Sequence, residues 1–260
     1  MTERLTVQQI RRLLAGADGK RLQTLLDEFT ADTRPGVQDA VRKALDREDA
    51  RRAERTRLRA LYAEESRLRA EGLVWIAGVD EVGRGALAGP LTAGACILPA
   101  TPRIIGVNDS KQLTPARREE LARVIREVAV TWAVAHVEAE EIDALGMTAA
   151  LRRAMGRAVA GLELEPEAVL VDGRPIGLGG TERAIVGGDA KVAAIAAASI
   201  LAKVARDELM TSYAEEFPGF GFERNKGYGS ADHLQAIASS GPCRLHRRSF
   251  LPGGGCDTLF

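Results

Sequence analysis

The chain has 260 residues, 45% hydrophobic and 28% charged, which is enough for one large domain or one domain with an appendage. Lysine plus arginine equals aspartate plus glutamate at 36 each, so the field of the whole molecule does not drive nucleic-acid binding; a local basic patch must. Cys96, Cys243 and Cys256 lack metal or redox spacing, and no signal peptide or membrane-spanning apolar run is present, so a cytoplasmic protein without a membrane segment is expected.

Residues 1–71 read as a helical N-terminal extension and residues 72–260 as an α/β domain with a helical and tail-like C-terminal part. Thr6-Val7-Gln8-Gln9 fits a capping box ahead of Ile10, Leu13 and Leu14 at helical spacing. Leu22, Leu25, Leu26 and Phe29 suggest a second helix. After the Arg34-Pro35-Gly36 break, Val37, Val41, Ala44 and Leu45 begin a third. From Asp46 to Glu71 charges of both signs dominate. Leu58, Leu61, Tyr62 and Leu68 are sparse apolar positions there, the pattern of a solvated connector helix.

Beyond it, strands are expected over 74–79, 92–98, 130–137, 168–171 and 183–186. Helices are expected over 115–128, 148–161, 190–213 and 231–239, with Thr114 before Pro115 as a start signal. The first three strands, joined without long helices, suit antiparallel pairing, and the helix from Thr148 offers a crossover to a parallel strand.

The first strand, Val74-Trp75-Ile76-Ala77-Gly78-Val79, runs into two adjacent carboxylates, Asp80 and Glu81, and then a turn, Gly83-Arg84-Gly85. Two anions at a strand end are costly unless a cation or partner offsets their desolvation. Gly-Arg-Gly offers bare backbone amides and a guanidinium, which suit a phosphodiester or sugar. Asp172 follows Ala168-Val169-Leu170-Val171. Asp189 follows Gly187-Gly188 and opens the stretch from Ala190, where helix N-capping alone would also explain it. Carboxyl ends of parallel strands gather on one sheet edge, so the four acids can converge. Oxygen ligands without matched cysteine or histidine spacing point to magnesium or manganese rather than zinc.

Gly78-Val79-Asp80-Glu81-Val82-Gly83-Arg84-Gly85, Asp109-Ser110-Lys111, Val171-Asp172-Gly173, Gly188-Asp189 with Ala196-Ala197-Ala198-Ser199-Ile200-Leu201-Ala202-Lys203, and Lys226-Gly227-Tyr228-Gly229 occur in that order. Together they resemble bacterial ribonuclease HII, over roughly residues 73–250. The resemblance implies an RNase H-like mixed five-stranded sheet flanked by helices, plus an N-terminal all-helical appendage, as some relatives carry. It implies hydrolysis of the RNA strand of RNA–DNA hybrids and incision at ribonucleotides embedded in duplex DNA. It also places a four-carboxylate Mg2+ or Mn2+ site on Asp80, Glu81, Asp172 and Asp189, with Asp80 bridging. Two divalent ions would supply the activated water and charge stabilisation, leaving 5′-phosphate and 3′-hydroxyl ends with no protein nucleophile. Gly83, Arg84, Gly85 and Tyr228 are implied to sense the ribonucleotide–deoxyribonucleotide junction through the 2′-hydroxyl. Ala86, where many relatives have proline, and Ser230, where threonine is common, depart from the pattern without removing a ligand. The Lys-Gly-Tyr-Gly motif and the short extension favour type HII over type HIII.

Lys111 and Arg84 are candidate phosphate contacts, which position rather than specify. Lys203 shares a helix face with Ser199 and is either a substrate contact or a surface lysine. Arg244, Arg247 and Arg248 either track the DNA strand or form a solvated tail. His136 reads as a packed strand residue; His233 and His246 are candidates for touching phosphate, not for catalysis. Phe217, Phe220 and Phe222 suit a small hydrophobic cluster under a loop. The expected partners are RNA–DNA hybrids and DNA duplexes with embedded ribonucleotides, met by a monomer. The alternative is a catalytically weak hybrid-binding module, which would gain nothing from four anions facing phosphates. The tail Gly253-Gly254-Gly255-Cys256-Asp257-Thr258-Leu259-Phe260 is similar to short Leu-Phe-ended peptides that dock into sliding clamps, although Cys256 stands where those carry glutamine. The alternative is that Leu259 and Phe260 fold back onto the domain.

Overall fold

The computed structural model describes residues 5–179 and 182–251. The chain forms two compact units, Met1–Arg59 and Ala60–Phe260. In the first, the helices α1 (Val7–Gly16), α2 (Gly19–Phe29) and most of α3 (Pro35–Leu61) enclose a core of Ile10, Leu14, Leu22, Leu26, Phe29, Val37 and Val41. The capping box at Thr6 is present: Thr6 Oγ1 accepts from the Gln9 N–H at 3.3 Å, and Gln9 Oε1 accepts from the Thr6 N–H at 2.8 Å.

The charged stretch after Asp46 is not one solvated connector. Helix α3 stops at Leu61 and a separate α4 spans Ala63–Ala70. Between them Tyr62 is buried, and its hydroxyl accepts the Ile104 N–H at 3.1 Å. Leu68 is buried in a cluster with Ile76, Ala168, Leu170, Val192 and Ile195. A few well-placed apolar residues outweigh a highly charged helix surface, because the charged side chains remain in water. The second unit therefore opens at Ala60, earlier than the 71/72 division drawn from composition.

Its sheet comprises β1 (Ile76–Val82), β2 (Leu91–Ile97), β3 (Thr131–Val137), β4 (Ala168–Asp172) and β5 (Glu182–Ile185), in the order β3-β2-β1-β4-β5. β1 pairs antiparallel with β2, and β2 with β3; β1–β4 and β4–β5 are parallel. A mixed five-stranded sheet was expected, but short connections do not explain its antiparallel half. Helix α5 (Pro115–Val128) intervenes between β2 and β3.

β1 is also longer than its apolar run. Parallel pairing with β4 ends at Val79↔Val171, whereas the antiparallel ladder continues through Asp80↔Gly94 and Glu81↔Ala93. The ladder thus carries both acids inside the strand rather than beyond it.

Helices α6 (Ala139–Leu145) and α7 (Met147–Ala160) pack on Val79, Val169 and Val171. Helix α8 (Ala193–Glu216) covers the face that carries Ile76 and Leu170, through Ile195. Close approach of α8 depends on absent side chains: a Cβ on Gly78 would lie 2.1 Å from the Ala194 carbonyl carbon, and one on Gly94 would lie 2.3 Å from the Ala198 oxygen. By strand alternation Asp80 shares the α8 side with Gly78. The short α9 (Phe222–Asn225) and α10 (Ala231–Ser240) complete the unit. No helix among the described residues is long and apolar enough to cross a membrane.

Candidate functional site

Three carboxylates from three separate segments meet at the ends of β1 and β4. Asp80, Asp172 and Asp189 each place a ligand oxygen within 4.8 Å of the others. The means of convergence is local. Asp172 Oδ1, at the end of β4, accepts the Gly188 N–H at 2.6 Å, and Gly188 opens the 3-10 turn Gly188–Ala190 that carries Asp189. Asp189 therefore does not begin a helix at Ala190. Helix α8 starts at Ala193 behind Val192, because the tight turn gripped by Asp172 delays it. Glu81 stands outside this trio, yet near enough for the Asp172 charge to act on it.

Asp80 is buried, and its carboxyl is driven well above its ordinary range by burial first and then by Glu81 and Asp172. The Ser199 hydroxyl, donating to Asp80, works in the opposite direction. Ser199 lies 2.9 Å from the Ser110 hydroxyl. Glu81 is likewise raised by burial, opposed by the Arg84 guanidinium. Lys111 Nζ is 3.2 Å from Asp189 Oδ2. Burial works against that ammonium, but Asp189, Asp109 and Asp80 outweigh it and hold the charge above its ordinary value. An all-oxygen donor set of clustered anions, costly to ionise without added positive charge, fits hard divalent ions of the magnesium or manganese kind.

Two buried arginines build the neighbouring surface: Arg206, which no sequence pattern marks, and Arg247, which was expected on a DNA strand or in a solvated tail. From α8, Arg206 donates to three carbonyls: Pro90 at 2.9 Å, Lys226 at 2.8 Å and Ala88 at 3.1 Å. Arg247 donates to the Gly89 carbonyl at 2.9 and 3.1 Å and to the Arg84 carbonyl at 3.0 Å. The Gly227 carbonyl accepts the Leu87 and Ala88 N–H groups at 2.8 and 3.1 Å. The Gly-Arg-Gly loop and the tyrosine loop are thus one stapled structure. Gly227, at φ +83°, sits so close that a Cβ would lie 2.2 Å from the Ala88 oxygen.

The two glycines of the first loop differ in role. A Cβ on Gly83 would strike Arg206 Nε at 2.3 Å, whereas Gly85 faces open space, as an approaching ligand requires. Arg84 and Gly85 are exposed. Tyr228 is 37% exposed, with the Arg206 guanidinium 5.5 Å from its ring centroid. The two departures are accommodated: the Ala86 N–H, which a proline would lack, donates to the Gly83 carbonyl at 3.3 Å, and Ser230 caps α10 through the His233 N–H.

Of the other expectations, those for Arg247, His233 and His246 are corrected, and those for the phenylalanines and His136 hold. Arg247 is fully buried on backbone carbonyls and cannot track a DNA strand, and Arg244 pairs with Glu216 at 2.7 Å. His233 and His246 are buried against each other, not against a phosphate. Lys203 Nζ lies 2.6 Å from Asp207 Oδ1. Phe222 is buried, with Phe217 and Phe220 beside it in one satellite cluster, and His136 shares a 2.9 Å hydrogen bond with the Thr92 hydroxyl. None of the buried arginine or histidine partnerships has a spacing signal, since each joins residues brought together only by the fold.

Comparison with known proteins agrees with this arrangement. The family model for ribonuclease HII matches residues 77–252, and that for the ribonuclease HII N-terminal domain matches residues 6–69. A ribonuclease HII of Moorella thermoacetica is 54% identical over 198 residues, covering 76% of this chain and 96% of the relative. The crystal structure of a ribonuclease H2 from Pyrococcus horikoshii superposes with a TM-score of 0.58 at 30% identity, over 67% of this chain and 92% of that one. The RNase HII in the PCNA:RNase HII complex from Archaeoglobus fulgidus gives the same TM-score and identity, over 67% and 94%. The matched stretch contains all four acids and both stapled loops, and the chain belongs to the ribonuclease HII family, which cleaves the RNA of RNA–DNA hybrids, and is itself a metal-dependent ribonuclease H.

Proposed function

We propose that this enzyme, besides cleaving RNA in hybrids, incises duplex DNA at embedded ribonucleotides, leaving 5′-phosphate and 3′-hydroxyl ends. The observation that carries the reading is the stapling of the Gly83–Gly85 loop to the Tyr228 loop, two residues beyond Glu81. A sugar read there lies next to the acids that serve the reaction. Asp80, Glu81, Asp172 and Asp189 would hold Mg2+ or Mn2+, with Asp80 shared. Bound there, two divalent ions supply an activated water and stabilise the charge of an in-line displacement. The serine chain from Ser110 through Ser199 holds the Asp80 carboxylate in place.

Gly85 and the backbone around Arg84 are open to the ribose, and Tyr228 would close on it from the second loop. The 2′-hydroxyl gives such a site its means of telling RNA from DNA. Arg84, Lys111 and Lys203 are the proposed phosphate contacts. Residues 1–71, in which basic side chains outnumber acidic ones over 1–59, would add duplex affinity without chemistry. The setting proposed is cytoplasmic repair and replication of DNA by a monomer. The tail from Gly253 to Phe260 lies outside the described residues. A homologue solved with PCNA supports the idea that it reaches a sliding clamp.

The test is cleavage of a DNA duplex carrying one ribonucleotide, beside an RNA–DNA hybrid, with and without Mg2+ or Mn2+. Metal-dependent incision of both, with 5′-phosphate products, is expected. Metal-dependent cleavage of the hybrid alone would refute incision at embedded ribonucleotides, and tight binding without cleavage of either would refute the assignment of the acids.

A further inference from the structure

Two histidines lie fully enclosed behind the tyrosine loop. His233 is 0% and His246 2% exposed, and their Nε2 atoms are 3.1 Å apart. A buried imidazole must satisfy both ring nitrogens, and here the partners dictate a single arrangement. The Cys243 N–H donates to His246 Nδ1 at 3.0 Å, closer than the Cys243 carbonyl at 3.3 Å, and with His233 Nδ1 bound to give its proton to a carbonyl this assigns the His246 lone pair to Nδ1 and its proton to Nε2. His246 Nε2–H then donates to His233 Nε2, which leaves the His233 proton on Nδ1. That Nδ1 lies 2.8 Å from the Tyr228 carbonyl oxygen, to which it donates. Both rings are neutral, every ring nitrogen is satisfied, and the chain of donors runs one way, from Cys243 to Tyr228.

The rings are also boxed in. Phe222 packs edge-on to His233 with centroids 5.4 Å apart, and Phe220 does so to His246 at 4.9 Å. Burial holds both histidines below their ordinary range, His246 at about 4. They remain neutral wherever the enzyme is near neutral pH.

The pair also joins the two halves of the proposed ribose site. His246 lies in a segment bonded to the far side of the Gly-Arg-Gly loop: Arg247 N–H donates to the Leu87 carbonyl and Gly89 N–H to the Leu245 carbonyl, both at 2.8 Å. His233 holds the Tyr228 carbonyl, which also accepts the Ser230 N–H at 2.8 Å, while the Tyr228 N–H donates to the Asn225 carbonyl at 2.9 Å. We propose that the buried His233–His246 pair is a positioning device that sets Tyr228 against the Gly-Arg-Gly loop, and so governs the response to a single ribonucleotide. This rests on the reading of Tyr228 as the ribose contact. Neither histidine touches substrate; each acts through the tyrosine backbone.

The test is a double-mutant cycle on a duplex with one embedded ribonucleotide, using the full chain with Mg2+. His233→Leu should lower kcat by about tenfold with KM little changed, within the roughly hundredfold that an ångström of misplacement can cost. His233→Asn, whose amide can replace the Nδ1 donor, should restore the rate to within about threefold of the parent. In a Tyr228→Ala background the His233→Leu change should do nothing more. If His233→Leu does not fold, His246→Asn, which keeps the acceptor for Cys243 but loses the donor to His233, carries the cycle: its loss must likewise vanish beside Tyr228→Ala. A histidine effect that persists in full in the Tyr228→Ala background overturns the positioning role alone. Parent-like kinetics of the histidine variants do the same. Unchanged cleavage by Tyr228→Ala overturns the ribose reading and the positioning role with it.

Discussion

Glu65 Oε1 accepts the Ala194 N–H at 2.8 Å, joining the helix that precedes the sheet to the first turn of α8. The opening N–H groups of a helix have no partner within it, and Val192, the residue before α8, offers no side-chain acceptor. Glu65 takes that place from a position 129 residues away in sequence. It is 1% exposed, and its second oxygen, Oε2, has no partner among the described residues.

It follows that α4 belongs to the catalytic unit. A truncation beginning at Ala60 should fold and keep metal-dependent cleavage at saturating substrate. One beginning at Gly72 removes Glu65, together with Tyr62 and Leu68, and should melt well below the first or fail to accumulate. Equal melting temperatures and equal turnover for the two truncations would contradict this.

Glu65 also makes a pH-dependent contribution whose sign can be derived. Burial holds its carboxyl above the ordinary range. The folded state therefore binds this proton more tightly than the unfolded chain. The resulting stabilisation is present in full below the unfolded value and is lost as pH rises through the folded one. Glu65→Gln keeps an acceptor for Ala194 and removes the buried charge, so at pH 7–8 it should melt at or above the parent temperature. Glu65→Ala, which orphans the N–H, should cost about 1–3 kcal/mol. A glutamine variant as damaged as the alanine variant would show that the charge itself is needed.

The acids were readable because each follows an apolar run that forms a strand or precedes a turn, and the sheet order brings those ends together. The length of β1 was not, since its last residues are polar and are held only by register with Gly94 and Ala93. Nor was the turn at Asp189, which depends on Asp172 gripping Gly188. Arg206, Arg247, His233 and His246 look like surface residues in sequence, because helical spacing and composition carry no sign of carbonyls supplied from distant loops. Glu65 and Tyr62 were hidden in the same way by the charge around them.

The histidine pair predicts an acid-side loss of stability. His233 and His246 are held below their ordinary range, chiefly by burial, His246 at about 4. Between roughly pH 6.5 and that value the unfolded chain binds protons that the folded chain refuses, so stability falls as pH falls through this window. Glu65 and Asp80, both raised, act in the opposite direction, so the parent protein alone does not isolate the effect. The discriminating measurement compares melting temperatures at pH 7.5 and 5.0 for the parent and for the double variant His233→Asn, His246→Asn. The double variant should lose fewer degrees between the two pH values. An identical loss would mean that the pair takes up protons inside the fold.

Asp80→Asn should separate turnover from folding. Asp80 is buried beside Asp172 and Asp189, and burial and Glu81 already disfavour its ionised form. Asparagine retains an oxygen for the Ser199 hydroxyl while removing one of the mutually repelling anions. Without added metal, the variant should melt at or above the parent temperature. Cleavage should fall by at least about a hundredfold, since loss of mere supporting partners around a metal site already costs 10–100-fold. A third readout ties these two together. Ions that bind only the folded chain raise its melting temperature by an amount that grows with the logarithm of their affinity, so the upward shift produced by Mg2+ or Mn2+ in the parent should shrink in the variant. A folded Asp80→Asn protein that keeps near-parent cleavage and the full metal-induced shift would remove Asp80 from the metal site.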